Sequence, residues 1–367
     1  MSSPETGIRS IEFEPLNIPL IEPFIISIGR LDHVRNVLIT VTLENGVIGY
    51  GEAAPLEPIN GENQATVLAT LQTCVPLLVG RDAMQWRKLS GELAGIFSVQ
   101  AAARAGLEMA ILDAVTKTMR VPLYQFFGGY TDRVETDISI PIVEPDRARE
   151  LAQGITAQGV RFIKIKVGSG IEADVARTLA VKEGAPNSEL QLDANQAYSA
   201  SEAVELLQEL RARGVRVRLF EQPVPKHDRI GLKFVTDQGR VPVAGDEAVF
   251  VASDVMDLAH IGAANVVNIK LMKSGLVTGM DIVAVCRAAH IRLMIGGMIE
   301  SKLAMSCSAH FAAGNGGFEF VDLDTPFLLA EDPFEGGYRV EGPIYHLGEI
   351  KAGIGCWPKG RPSGMLE

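Results

Sequence analysis

Two lysines, Lys164 and Lys166, stand two residues apart in an otherwise apolar run, FIKIKVG. In a strand both side chains leave on the same side. Like charges so placed repel, and burying them costs several kcal/mol each unless anions answer them. Acids follow along the chain: Asp193 in LDAN, Glu221 in EQP, Asp246 beside Glu247, then Asp322 and Asp324, again two apart. A third lysine, Lys270, stands in NIK, with Lys273 just beyond. Asp193, Glu221 and Asp246 brought to one point need a cation between them. An all-oxygen set suits a hard divalent ion such as Mg2+ better than zinc, which draws on His or Cys. Clustered ammoniums and desolvation both depress a lysine pKa, and a lysine lowered towards neutrality can act as a general base. Two such bases on opposite faces of one carbon can remove a proton from one side and return it from the other. The plainer alternative is that each lysine pairs with a neighbouring acid for structure, and that strand-end acids cap helices or stay solvated.

Positioning these groups requires strands that end at one place. From about residue 135, eight short β-rich runs recur at regular spacing: TDISIPI (136–142), FIKIKVG (162–168), LQLDANQ (190–196), RLFEQPV (218–224), VPVAGDE (241–247), NVVNIKLM (265–272), IRLMIGGM (291–298) and FVDLDTP (320–326). Amphipathic segments such as SASEAVELLQELRARG lie between them, with an N-capping serine and a closing glycine. Eight strands alternating with helices predict an α/β fold, a (β/α)8-type barrel whose catalytic groups sit at the C-terminal strand ends. The competing architecture, a doubly wound open sheet, finds no GxGxxG or P-loop motif in its favour. Ahead of the barrel, RNVLITVTLENGVIGYGEAAP reads as a hairpin turned at Asn45-Gly46, and residues 62 to 79 and 98 to 118 read as helices. The expected division is an α+β unit over 1–130, a barrel over 131–328, and a Gly- and Pro-rich segment over 329–367 that packs back on the N-terminal unit.

The bulk numbers narrow the function. The 367 residues carry a formal net charge of −11, which argues against a nucleic-acid surface. The four cysteines form no CxxC pair, so reduced thiols in a cytoplasmic setting fit better than a disulfide framework. No apolar stretch is long enough for a membrane span, and the N-terminus lacks the basic start and apolar core of a signal peptide. The six histidines form no cluster and read as structural.

Taken in order, Lys164-Ile-Lys166, Asp193-Ala-Asn195, Glu221-Gln-Pro223, Asp246-Glu247 and Asn268-Ile-Lys270 resemble the enolase superfamily, and within it the muconate-lactonizing subgroup. GYGEAAP (49–55) and the segment 106–129 are similar to that family's capping-domain hairpin and to its helix leading into the barrel, so the likeness spans nearly the whole chain. The resemblance implies a modified (β/α)7β barrel with a capping domain. It implies one Mg2+ held by Asp193, Glu221 and Asp246, and a substrate carboxylate whose α-proton goes to a lysine to give an enediolate. Lys166 and Lys270 would be the acid/base pair, with Lys164 tuning Lys166 and neutralising the substrate carboxylate.

The reaction turns on FVDLDTPFLL. Its Asp322-Leu-Asp324 resembles the DxD motif of the dipeptide epimerases, where the acids bind the free α-ammonium of an L-Ala-L-Xaa type dipeptide. A carboxylate pair suits an ammonium at charge-assisted hydrogen-bond strength. The alternatives on the same scaffold are a cycloisomerase, or an o-succinylbenzoate synthase or N-acylamino acid racemase. A non-catalytic metal-binding barrel is the alternative of another class. Specificity for the second residue is expected from the loop over 22–31, EPFIISIGRL, with Phe24, Ile25, Gly29 and strand-seven Met298 against the substrate and help from residues 52–62. In Ala-Glu epimerases an arginine of this loop meets the side-chain carboxylate; here Gly29 falls at that position, with Arg30 next. With Phe24, Ile25, Ile26 and Ile28 the loop is apolar, which predicts an uncharged or hydrophobic Xaa rather than Glu. The expected partner is a small-molecule dipeptide, with no nucleic acid and no membrane, and association into a homo-oligomer stays open.

Overall fold

The computed structural model describes residues 5–27 and 29–365. Ile28 and the first residues of the chain therefore lie outside the described residues. Eight parallel strands form one sheet in sequential order: Ile138–Ile140, Phe162–Lys166, Glu189–Asp193, Val217–Glu221, Val243–Gly245, Val266–Lys270, Arg292–Gly296 and Phe318–Asp322. The two edges meet: Asp137 N–H donates to Val321 O (2.9 Å) and Leu323 N–H to Thr136 Oγ1 (2.8 Å), closing the sheet into a barrel. Helices follow the first seven strands, whereas the eighth runs into a short 3-10 turn at Thr325–Leu328. All eight predicted strands are present, and the (β/α)7β pattern holds. The helix Ala200–Ala212 starts at Ser199 with a reciprocal capping box to Glu202, the signal legible in its sequence.

Period-two alternation divides the barrel interior into levels. Leu219, Ala244, Val266, Met294 and Phe320 form an apolar plug towards the N-terminal strand ends. Arg218 stacks over Phe162 (4.2 Å) and Phe320 (4.4 Å) beneath it. One or two inward positions further along strands four, five, six and eight, the side chains turn polar: Glu221, Asp246, Asn268 and Asp322. The register Lys164↔Gln191, Lys166↔Asp193 and Asp193↔Glu221 puts the predicted groups side by side at the mouth.

The N-terminal unit is a three-stranded antiparallel meander, Ile8–Ile26, Gly29–Leu43 and Ile48–Ala53, packed on the helix Ala101–Met119. Gly49, Gly51 and Gly106 allow that contact: a Cβ on Gly49 would sit 2.1 Å from Ala110 O, and one on Gly51 2.2 Å from Gly106 O. The described residues 22–27 and 29–31 are not a loop. They are the tip of a long hairpin, because the β-branched and aromatic run Phe24-Ile25-Ile26 pairs with Leu31-Arg30-Gly29 past a register break between Pro19 and Phe24. The tip reaches the barrel, where Ser27 Oγ donates to Ala194 O (3.0 Å) and Asn195 O (3.2 Å). Helix Trp86–Ile96 was not anticipated from the sequence.

Buried glutamates of the N-terminal unit fasten it to the barrel by capping barrel helices. Glu108 accepts from Leu276 N–H (2.6 Å) and Val277 N–H (3.1 Å), and Glu52 from Ser301 N–H (3.0 Å) and Ala304 N–H (3.3 Å). The final segment contacts both parts. Ile48 N–H donates to Gly364 O (3.0 Å), and Ile344–His346 pairs with Arg133–Glu135. No helix among the described residues is long and apolar enough to cross a membrane.

Candidate active site

All six ionisable residues predicted on barrel strands two to six are buried and converge at the C-terminal end. Lys164 is 1% exposed and touches three acids: Asp322 Oδ2 (2.6 Å), Glu221 Oε2 (2.8 Å) and Asp193 Oδ2 (3.0 Å). Lys166 Nζ donates to Asp193 Oδ2 (2.6 Å) and lies 3.3 Å from Asn195 Oδ1. Across the barrel, Lys270 Nζ lies 2.6 Å from Asp246 Oδ2. The two lysines on one strand are thus tolerated because carboxylates surround them.

The residues flanking each acid explain the short motifs. Asn268 Nδ2 donates to Glu221 Oε1 (2.7 Å), so the NIK motif carries both a lysine and a brace for the neighbouring acid. Gln222 Oε1 accepts from Asp246 N–H (2.9 Å) and Ala248 N–H (3.1 Å), which fixes the turn after strand five. Lys273 Nζ, also buried, donates to Asp246 Oδ1 (2.5 Å) and Asn268 O (3.1 Å). Asn195, Gln196 and Gln222 hold positive φ angles of 40°, 73° and 33°. Such strain persists where the surroundings over-determine it, and here it marks the ends of strands three and four.

Charge balance departs from the expectation that lysines depress one another. Burial works to lower the Lys164 and Lys270 pKa values, yet the surrounding acids outweigh it and hold both above the ordinary lysine range. The reason is number: acids at the mouth exceed ammoniums. Lys273 goes the other way, lowered chiefly by burial. Burial and the neighbouring Asp193 push Glu221 up to about 8, while Asp193 and Asp246, though opposed by burial, are held low by the lysines.

The donor set fits a hard divalent cation. Asp193, Glu221 and Asp246 end adjacent strands, all donors are oxygen, and all are buried. Glu221 Oε2, Asp246 Oδ2 and the neighbouring Glu247 Oε2 have no hydrogen-bond partner, although Lys164 and Lys270 lie close to the first two. Such orphaned anionic lone pairs are what a cation satisfies. Among the described residues the acidic trio whose carboxylate oxygens all lie within 4.8 Å of one another is a different one, Asp137, Asp322 and Asp324.

A cavity of about 40 Å3 lies above these groups, lined by Phe24, Ile26, Leu31, Leu56, Ile59, Met298 and Ile299 on its apolar side, with Lys166, Lys270, Asp322 and Asp324 on its polar side. Phe24 and Met298 stand where predicted. Ile25 and Gly29 do not line the cavity, because alternation along the hairpin brings Ile26 and Leu31 inward instead. Arg30 points away, paired with Asp32 (3.0 Å) at the surface. Leu56 and Ile59 come from the 52–62 region anticipated as helping. Ser139, Asn195 and Thr325, also in the wall, were not singled out; nothing in an isolated Ser or Thr signals a pocket.

Residues 11–128 match the mandelate racemase / muconate lactonizing enzyme N-terminal domain, and residues 146–360 match the enolase C-terminal domain-like family. The chain belongs to the mandelate racemase / muconate lactonizing enzyme family of the enolase superfamily. Members of known activity resemble it over nearly full length. An aromatic dipeptide epimerase from Herpetosiphon aurantiacus is 43% identical, covering 94% of this chain and 97% of that protein. An L-Ala-D/L-amino acid epimerase from Populus trichocarpa is 41% identical, covering 95% and 84%. The crystal structure of a dipeptide epimerase from Enterococcus faecalis, complexed with Mg and the dipeptide L-Leu-L-Tyr, superposes with a TM-score of 0.92 at 35% identity, covering 95% and 99%.

Proposed function

We propose that this family member is a Mg2+-dependent dipeptide epimerase. It inverts the α-carbon of the C-terminal residue of an L-Ala-L-Xaa type dipeptide, with Xaa hydrophobic or uncharged rather than Glu. The observation that carries the reading is one cavity faced by Lys166 and Lys270 from strands two and six, with Asp322 and Asp324 at its far side. The dipeptide epimerase relatives, and the Mg and L-Leu-L-Tyr complex of one of them, support the same substrate class.

Asp322 and Asp324 take the free α-ammonium, which fixes the dipeptide's direction in the cavity. Phe24, Ile26, Leu31, Leu56, Ile59 and Met298 enclose the Xaa side chain without offering it a cation. Asp193, Glu221 and Asp246 would hold the divalent ion, which would supply Lewis-acid stabilisation of negative charge on the substrate carboxylate. Lys166 and Lys270, on opposite faces of the α-carbon, remove the proton at one Nζ and return a proton from the other, so the centre inverts. Lys164, between the acids and the substrate end, adds a fixed positive charge beside the carboxylate.

The test is a panel of L-Ala-L-Xaa dipeptides incubated with the protein and Mg2+ and separated by chiral chromatography. Conversion of L-Ala-L-Phe or L-Ala-L-Tyr to the L,D epimer, faster than that of L-Ala-L-Glu, is expected. Turnover of L-Ala-L-Glu alone would overturn the Xaa assignment. No epimerisation of any dipeptide, beside turnover of N-succinyl amino acids or muconate-like diacids, would overturn the substrate class.

A further inference from the structure

Beside Asp322 and Asp324, which line the cavity, stands a third acid that does not line it. Asp137, immediately before the first barrel strand, is 1% exposed and brings a carboxyl oxygen within 4.8 Å of oxygens of Asp322 and Asp324. Gln191 Nε2 donates to Asp137 Oδ2 (2.6 Å), whereas Asp137 Oδ1 has no hydrogen-bond partner. Gln191 Oε1 is likewise unpartnered. The ammonium touching this trio among the described residues is Lys164, at 2.6 Å from Asp322 Oδ2, and it is shared with Asp193 and Glu221. Asp324 Oδ2 accepts from Ser139 N–H (2.6 Å).

Carboxylates within 4.8 Å of one another repel by roughly 3 kcal/mol or more per pair at an effective dielectric near 20, which favours a proton on one of the three. Asp322 has the Lys164 ammonium, and Asp324 has a backbone N–H and faces the cavity. Asp137 has neither, and its free Oδ1 is the atom that lacks a partner. We propose that Asp137 is the protonated member of the trio, donating to Asp322, and that it sets the amine pocket to accept one free α-ammonium. With Asp137 neutral, Lys164 balances Asp322, and Asp324 is left to answer a single incoming cation. Asp137 is therefore a positioning and specificity-determining residue, and this role rests on the dipeptide reading above. Consistent with it, burial and the charges of Asp322 and Asp324 hold the Asp137 carboxyl well above the usual carboxylate range. Burial and Asp322 bring Asp324 only to about 6.

Two variants and one spectrum test it. Asp137→Asn is neutral and keeps a donor; Asp137→Val has similar volume and none. With L-Ala-L-Phe, D137N should keep KM within about threefold of the unchanged protein, and D137V should raise KM by about tenfold or more with kcat little altered. D137V should also lose the preference for a free over an N-acetylated dipeptide, which D137N should retain. Infrared spectra of protein labelled with 13C-aspartate, taken above neutral pH, should show a protonated aspartic acid carbonyl that D137N lacks. A D137N variant as impaired as D137V, or the absence of that band, overturns the proposal. The spectrum decides the protonation even if the unchanged protein turns over no dipeptide, an outcome that instead defeats the functional reading.

Discussion

At the scale of single residues, the site is a cluster in which buried acids outnumber the lysines that answer them. In the proposed reading, replacing Lys166 or Lys270 removes one of two proton carriers. Lys166→Ala and Lys270→Ala are each expected to lower the epimerisation kcat by roughly 100- to 10,000-fold, read by chiral chromatography, with the fold retained by circular dichroism. Asn268 acts one step back, through its bond to Glu221 Oε1 (2.7 Å). Asn268→Ala is expected to weaken Mg2+ binding by about 10- to 100-fold in titration calorimetry, while unchanged affinity would show that Glu221 needs no brace. The sequence was informative here because spacing alone places Lys164 with Lys166 and Asp322 with Asp324. It was silent on Asp137, since a single acid before a strand carries no pattern, and only barrel closure sets it beside Asp322. It also misjudged the lysine pKa direction, because counting ammoniums on one strand leaves out the acids that the neighbouring strands bring in.

At the scale of elements, the hairpin tip and the turn around Leu56 to Ile59 close the cavity. Its volume of about 40 Å3 is far below the roughly 300 Å3 or more of common ligand pockets, so dipeptide entry requires these elements to shift. Ser27 holds the tip down by its two hydrogen bonds to Ala194 O and Asn195 O. Ser27→Ala gives up about 1 kcal/mol of that closure and is expected to raise KM by up to about fivefold in steady-state assays. An unchanged KM would mean the tip closes on substrate contacts alone. The apolar character of this element was legible from EPFIISIGRL. Which residues face inward was not, because reading it as a loop discards the alternation that a strand imposes; Ile26 and Leu31 take the places assigned to Ile25 and Gly29.

At the scale of the whole molecule, buried glutamates make stability depend on pH. Burial pushes Glu300 up to about 8 and Glu62 up to about 7, against ordinary values near 4.5 in the unfolded chain. The folded state therefore binds more protons than the unfolded one between pH 4.5 and 8, and stability falls as pH rises through that window. The melting temperature of the metal-free protein is expected to decline from pH 5 to 8, and a flat profile would contradict these assignments. The eight-strand period was visible in the sequence as pattern, whereas the close approaches at Gly49, Gly51 and Gly106 emerge only in the fold. The glutamate caps were not visible either, since Glu52 and Glu108 find their helices Lys302–Asn315 and Leu276–Ala288 only in three dimensions.

The central claim is that two opposed lysines exchange the α-proton of a dipeptide. Its most direct test is incubation with Mg2+ and pooled L-Ala-L-Xaa dipeptides in D2O, following each mass. Expected is a one-dalton gain on hydrophobic and aromatic dipeptides, with formation of the opposite epimer lost in both Lys166→Ala and Lys270→Ala. Absence of deuterium uptake on every dipeptide, with Mg2+ bound, would contradict it.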